Sequence, residues 1–309
     1  MTSHLERLAT RLSATYRLKS TLSSGVALDV YVAEEWKTGR RVIIKALREE
    51  KATNTSAARF LSAITSSAQL EHPNIVPLNA FGTVDGLPYY ISPVIDGVSL
   101  RSRLSAAASL PLYEVLQIAS DVSAALDFAQ RRHVLHCNLK PEKVLLHGGR
   151  AFVADFGLEP AVGGPELPRR GLTGSLVGTP EYMSPEQAQG DTDCDGRSDV
   201  YSLACMVYEM IWGRPPFMGP PSLVLRRQIS AEPMPLCCRL PGVPHGLAAA
   251  VSRALAKEPA HRFGSAGAFV AALRDGCDSL EACRPSDRVT AERPIERAAF
   301  SVYNTRQSA

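Results

Sequence analysis

The sequence predicts an α+β fold in two lobes, a small strand-rich one followed by a larger helical one. Three observations lead to that expectation. Residues 16–95 hold β-branched runs and tight-turn signals, and residues 96–275 hold apolar patterns of helical length. The character switches once, after Asp96-Gly97, instead of alternating, which is the layout of an α+β chain and not of a doubly wound one. A chain of 309 residues can hold one domain of this kind or two ordinary ones.

Residues 1–15 place Leu5, Leu8 and Leu12 at helical spacing among charged residues, so a short amphipathic helix packed on its own domain is expected. Residues 16–47 read as strands, with the run Val42-Ile43-Ile44 and a turn at Thr38-Gly39. Residues 53–70 are compatible with a helix. Two further strands are expected at 76–84 and 87–94, separated by the hairpin pair Asp85-Gly86. In the second lobe, 111–131, 200–212, 247–256 and 266–274 read as helices. Residues 276–309 are polar, lack apolar periodicity and read as a flexible tail.

Hydrophobic residues at 45% and charged residues at 21% exclude global disorder. A net charge of +3 is too small to suggest the concentrated basic face that nucleic acid requires, and Arg40-Arg41 and Arg169-Arg170 read as solvated turns. The seven cysteines lack metal-ligand spacing, and Cys237-Cys238 is a vicinal pair. With no secretory leader expected, the thiols read as reduced and the compartment as cytoplasmic. No apolar run reaches the ~18 residues of a membrane span, and 200–211 also carries Glu209.

Three separated segments carry a more specific signal. The first is Val42-Ile43-Ile44-Lys45, a strand ending in lysine. The second is His136-Cys137-Asn138-Leu139-Lys140-Pro141-Glu142-Lys143. The third is Asp155-Phe156-Gly157, followed by Gly178-Thr179-Pro180-Glu181-Tyr182-Met183-Ser184-Pro185-Glu186. In order and spacing they resemble the signature set of eukaryotic-like Ser/Thr protein kinases. The resemblance continues through Ser198-Asp199-Val200-Tyr201, Gly213-Arg214-Pro215-Pro216-Phe217 and His261-Arg262-Phe263, in a phrasing that looks bacterial. It covers residues 16–275 and implies a bilobal kinase fold with an N-lobe at 16–95 and a C-lobe at 96–275. It also implies ATP as the nucleotide and Mg²⁺ as the metal.

Phosphoryl transfer asks a protein mainly to position the triphosphate and neutralise its charge. The resemblance assigns those tasks residue by residue, and several positions depart from it. Where a glycine-rich loop should cradle phosphates, only Gly25 of Ser23-Ser24-Gly25-Val26-Ala27-Leu28-Asp29-Val30 matches, and Asp29 adds a negative charge. Lys45 stands at the phosphate-contacting position. Its expected glutamate partner on the next helix is Ala63, and no acidic residue occurs from Ala52 to Leu70, so Lys45 is expected to pair with Asp155.

In the catalytic loop, Asn138 replaces the aspartate that takes the hydroxyl proton, and Lys143 replaces the metal-binding asparagine. An ammonium cannot ligate Mg²⁺, so the metal site is expected to be weakened, with Asp155 as its remaining ligand. Lys140 is kept. Cys137 replaces the arginine that would read a phosphorylated activation loop and is expected to be a small buried residue, although Thr173, Ser175 and Thr179 offer hydroxyls. For an adenine, the resemblance offers the Pro93 carbonyl, the Ile95 N–H and walls from Val30 and Leu145, with Ile43 narrowing the roof.

Scaffold positions match throughout. Glu186 and Arg262 correspond to a buried ion pair, Asp199 to the brace beneath the catalytic loop, and His136 and Phe156 to an apolar stack between the lobes. Chemical positions are lost while structural ones are kept. The expectation is a pseudokinase that serves as a regulatory or binding module for a protein partner, a kinase or its substrate. The alternative is an active or weakly active Ser/Thr kinase that transfers the ATP γ-phosphate to protein hydroxyls. Oligomeric state is left open by the sequence.

Overall fold

The computed structural model describes residues 4–24, 27–158, 179–191 and 194–277. Gly25, Arg169-Arg170, Thr173, Ser175, Gly178 and the tail from 278 lie outside the described residues, as does the Leu5 side chain.

The N-terminal lobe is an antiparallel sheet of β1 (Tyr16–Ser24), β2 (Leu28–Glu35), β3 (Arg41–Leu47), β4 (Ala80–Val84) and β5 (Leu87–Pro93), in the order β1-β2-β3-β5-β4. After Arg41 every residue of β3 is buried, because both faces of the strand are covered. With side chains alternating along the strand, Val42, Ile44 and Ala46 pack against Leu8 and Leu12 of helix α1 (His4–Leu12). Ile43 joins Val30 and Val32 on the opposite face, and Leu47 joins Phe60 and Ile64 of helix α2 (Asn54–Ser67). The leucine spacing of α1 therefore covers its own sheet, and each buried leucine stabilises by about 1.5–3 kcal/mol.

Helix α2 begins where its cap dictates. The Thr53 hydroxyl accepts from the Ser56 N–H, and the Ser56 hydroxyl accepts from the Thr53 N–H. The β4–β5 hairpin turns on Asp85 and Gly86 at φ 51° and 79°, the positive pair that its tight turn requires. The expected strand at 76–84 needs correction, since β4 starts only at Ala80. Its first residues spend their backbone groups elsewhere: the Val76 N–H donates to the Val153 carbonyl at 2.9 Å, and the Val153 N–H to Asn74 at 2.8 Å. This segment ties the strand-rich lobe to the second sheet.

That second sheet, β6 (Val98–Ser99), β7 (Val144–His147) and β8 (Arg150–Val153), lies at the junction and was not read from the sequence. The helical lobe adds α3 (Leu100–Ala106), α4 (Leu112–Gln130), α5 (Pro185–Gln189), α6 (Gly196–Trp212), α7 (Pro221–Ser230), α8 (Leu236–Arg239), α9 (His245–Ala254) and α10 (Ala266–Asp275). α6 is its axis. Residues 198–211 are buried without interruption, as an all-round apolar helix should be, and α4, α9 and α10 pack around it. Gly213 ends α6 at φ 84°, and a Cβ there would lie 1.8 Å from the Ala108 carbonyl oxygen, so only glycine fits. No helix among the described residues is long and apolar enough to cross a membrane, and no disulfide forms among them.

Candidate functional site

The site forms where β3 and β5 meet the loop after β8. Register places Lys45 of β3 directly opposite Tyr90 of β5, both fully interior. Asp155, at φ 65° in the left-handed region, turns its carboxylate toward them. Lys45 Nζ donates to Asp155 Oδ1 at 2.8 Å and to Oδ2 at 2.6 Å. The Tyr90 hydroxyl donates to Oδ1 at 2.8 Å, and Lys143 Nζ to Oδ2 at 2.7 Å. Burial alone would raise the Asp155 carboxyl, but the charges of Lys143 and Lys45, reinforced by their hydrogen bonds, hold it far below its ordinary value.

Lys45 is thus paired with Asp155, and the reason lies partly in α2. Ala63 packs against a cluster of Leu47, Phe60, Ile64, Tyr90 and Leu158, so the helix face near Lys45 is apolar. Ser67, one turn further along α2, donates its hydroxyl to the Phe156 carbonyl at 2.6 Å and ties the helix to the Asp155-Phe156-Gly157 turn.

The catalytic-type loop is held from beneath. Asp199 on α6 accepts from the backbone N–H groups of His136 and Cys137, both at 2.8 Å. Burial pushes the Asp199 carboxyl up to about 6, against those two bonds, which pull it down. With Cys137 at φ 58°, these bonds fix a turn that a non-glycine residue seldom adopts. His136 stacks on Phe156 with ring centroids 5.0 Å apart. Its Nε2 donates to the Ala154 carbonyl and its Nδ1 accepts from the Asn138 N–H, the neutral tautomer. Lys140 Nζ reaches the Thr179 hydroxyl at 3.2 Å.

Glu186 and Arg262 meet as anticipated, in a bidentate pair at 2.8 and 2.7 Å, with the Arg262 side chain wholly buried. Val30, Val32 and Ile43 form an apolar cluster with Leu22 and Val94 packed against it. Pro93 ends β5, and the Ile95 carbonyl accepts from the Gly97 N–H. Gly97 lets the chain pass β7 closely, since a Cβ there would lie 2.1 Å from the Leu146 carbonyl oxygen. Leu145, the expected lower wall, pairs with Phe152 across β7 and β8. The Asp29 charge does not stand alone: the Arg48 guanidinium lies 4.0 Å from it.

Sequence reasoning missed two sets of residues. One is Tyr90, whose role follows only from strand register. The other is a partly buried polar knot in which Arg101 of α3 binds Glu142, Glu209 and the Tyr182 hydroxyl, while Tyr182 also binds Glu209. Only the mid-helix Glu209, read as a bar to membrane insertion, hinted at a buried partner.

The Asp155 carboxylate is crowded by donors in this arrangement. An ionised carboxylate offers about four lone-pair sites, and the Asp155 oxygens already accept four hydrogen bonds. The second ligand position carries the Lys143 ammonium, within 2.7 Å of one of those oxygens. Among the described residues no group of three or more His, Cys, Asp or Glu side chains could hold a metal.

A family model described as protein kinase domain matches residues 16–293. The serine/threonine-protein kinase PknB of Mycobacterium leprae is 34% identical over 269 residues, 85% of this chain and 43% of the relative. The probable serine/threonine-protein kinase SCO3848 of Streptomyces coelicolor is 35% identical over 263 residues, 83% of this chain and 39% of the relative. PrkC of Bacillus subtilis is 30% identical over 272 residues, 87% of this chain and 41% of the relative. The chain therefore spans about two fifths of the length of these curated relatives.

Proposed function

The chain belongs to the protein kinase domain family, and we propose that it acts there as a pseudokinase, a regulatory or binding module for a protein partner with phosphoryl transfer impaired. The observation that carries this reading is the closed Asp155 carboxylate, sealed by Lys45, Tyr90 and Lys143. Transfer requires that carboxylate to hold a metal against the phosphates, and here its acceptor capacity is spent. Asn138 adds a second deficit. A neutral amide takes no proton, and losing a general base costs about 10²–10⁴ in rate. Its partner is a kinase or that kinase's substrate, consistent with a scaffold held together by Asp199, Glu186 and Arg262 while the chemical positions have changed.

The test is transfer of labelled phosphate from ATP, with Mg²⁺ or Mn²⁺, to the protein itself and to generic protein substrates. No turnover above an Asp155→Ala control is expected. Turnover by the wild-type protein that the Asp155→Ala change abolishes would overturn the reading.

The comparisons favour a second reading, a working Ser/Thr kinase, because the relatives at 30–35% identity are named as serine/threonine-protein kinases. A loose transition state asks little of a base, which leaves room for Asn138. The double reversal Asn138→Asp with Lys143→Asn separates the two. Under the first reading it raises turnover from background by roughly 10² or more. Under the second, the wild-type protein already turns over.

A further inference from the structure

We propose that the cleft takes a nucleoside polyphosphate without a divalent cation, because Tyr90 and Lys143 occupy the Asp155 oxygens that a metal would need. The inference rests on the reading of Asp155 as a sealed carboxylate and adds the ligand class and its metal independence. Oδ1 accepts from Lys45 and Tyr90, and Oδ2 accepts from Lys45 and Lys143. Mg²⁺ demands near-octahedral oxygen ligands at about 2.0–2.1 Å, so entry would require breaking several of these bonds beside two ammonium groups.

Tyr90 is the unexpected member. It lies outside every motif segment, and two features aim its hydroxyl. Pairing between β3 and β5 sets it against Lys45, and an edge-on contact with Phe60, centroids 6.1 Å apart, holds the ring. The ring also receives the Lys45 ammonium 5.7 Å from its centroid. A phenol supplies no counter-charge; what it does is consume a lone pair. The seal thus has one neutral and two cationic donors.

The same residues suit an anion. Lys45 and Lys143 bring two ammonium groups to the single Asp155 carboxylate, and Asp29 lies 4.0 Å from the Arg48 guanidinium, which leaves an excess of positive charge around Asp155 for phosphates. The Lys143 ammonium takes over part of the metal's electrostatic work at a fixed position. The apolar cluster of Val30 and Val32 offers surface to a flat base, in a slot that Ile43 narrows.

Calorimetric titration of the wild-type protein with ATP in EDTA and again in Mg²⁺ tests the inference, together with Mn²⁺ spin resonance in the presence of ATP. Binding in EDTA that excess Mg²⁺ weakens, because the cation competes for the nucleotide, with no protein-bound Mn²⁺, is expected. In Tyr90→Phe combined with Lys143→Asn, Mg²⁺ should strengthen ATP binding at least about tenfold over EDTA. Binding that requires Mg²⁺, Mn²⁺ immobilised on the wild-type protein, or no ATP binding at millimolar concentration would each overturn the inference. The wild-type titrations decide it even if the double variant fails to fold. Bound Mn²⁺ without turnover overturns the inference alone, whereas bound Mn²⁺ with turnover overturns the pseudokinase reading as well.

Discussion

Replacing Arg262 by methionine should destabilise the helical lobe more than any exposed substitution could. The Arg262 guanidinium donates to both Glu186 oxygens at 2.8 and 2.7 Å and to the carbonyls of Ala256, Lys257 and Arg197 at 2.8, 2.8 and 3.0 Å. Its side chain is 0% exposed and that of Glu186 12%, so solvent does little to screen the pair. Arg262→Met leaves a buried carboxylate whose remaining side-chain partner is the Ser198 hydroxyl, together with three carbonyls that lose a donor. Removing one partner of a buried pair costs about 3–5 kcal/mol. For a domain of this size each kcal/mol lowers the melting temperature by about 2–4 °C, so a fall of roughly 6–20 °C is expected.

The assay is thermal unfolding at neutral pH, supported by a urea midpoint with unchanged slope. Arg262→Met with Glu186→Met should be more stable than Arg262→Met alone, because the pair is then removed together. Burial raises the Glu186 carboxyl, but the Arg262 and Ser198 hydrogen bonds outweigh it and lower the folded value. Its contribution is therefore complete above the ordinary 4.5 and fades as pH falls through the folded value. The gap between wild type and Arg262→Met should narrow in acid. A melting shift under about 2 °C, or a gap that widens in acid, would refute the reasoning.

Three other outcomes are expected. Asp155→Asn leaves Lys45 and Lys143 facing a neutral amide. Because the Asp155 carboxyl is depressed, its contribution should hold level down to its ordinary 3.8 and decline below, as a pH series of melting curves for both proteins would show. Leu8→Ala opens a cavity between α1 and the sheet and should cost about 2–5 kcal/mol in urea unfolding; a loss under about 0.5 kcal/mol would mean that α1 does not dock. Burial, with Asp199 beside it, pushes the Cys137 thiol far above its ordinary 9.0, so iodoacetamide at mildly alkaline pH should modify Cys137 only after denaturant is added, read by peptide mass.

Much of the molecule was legible without coordinates, because the signals concerned were local. The leucines of α1, the alternation of β3, the Asp85-Gly86 turn and the apolar length of α6 each express one element's own period or turn chemistry. The ordered motifs likewise placed Glu186 with Arg262, Asp199 beneath the loop, and Lys45 with Asp155. The departures at Ala63, Asn138 and Lys143 were legible too, since they are changes of residue type within the motif pattern. What was misread or missed involved short or long-range pieces. The two-residue β6 carries too little pattern to detect, and the start of β4 was mistaken because Val76 bonds to a strand 77 residues away.

The sequence by itself determined the lobes, the family and which residue types stand at the motif positions. Only the tertiary structure decided how the remaining groups satisfy one another. That Tyr90 fills a lone pair on Asp155 depends on β3 and β5 pairing in one register, on Phe60 holding the ring, and on a left-handed Asp155. That Lys143 spends its charge on the same carboxylate depends on a turn braced from α6. Hydrogen bonding is short-ranged and directional, so a carboxylate's state is set by the few donors within about 3 Å, and their identity is known only once the chain has folded.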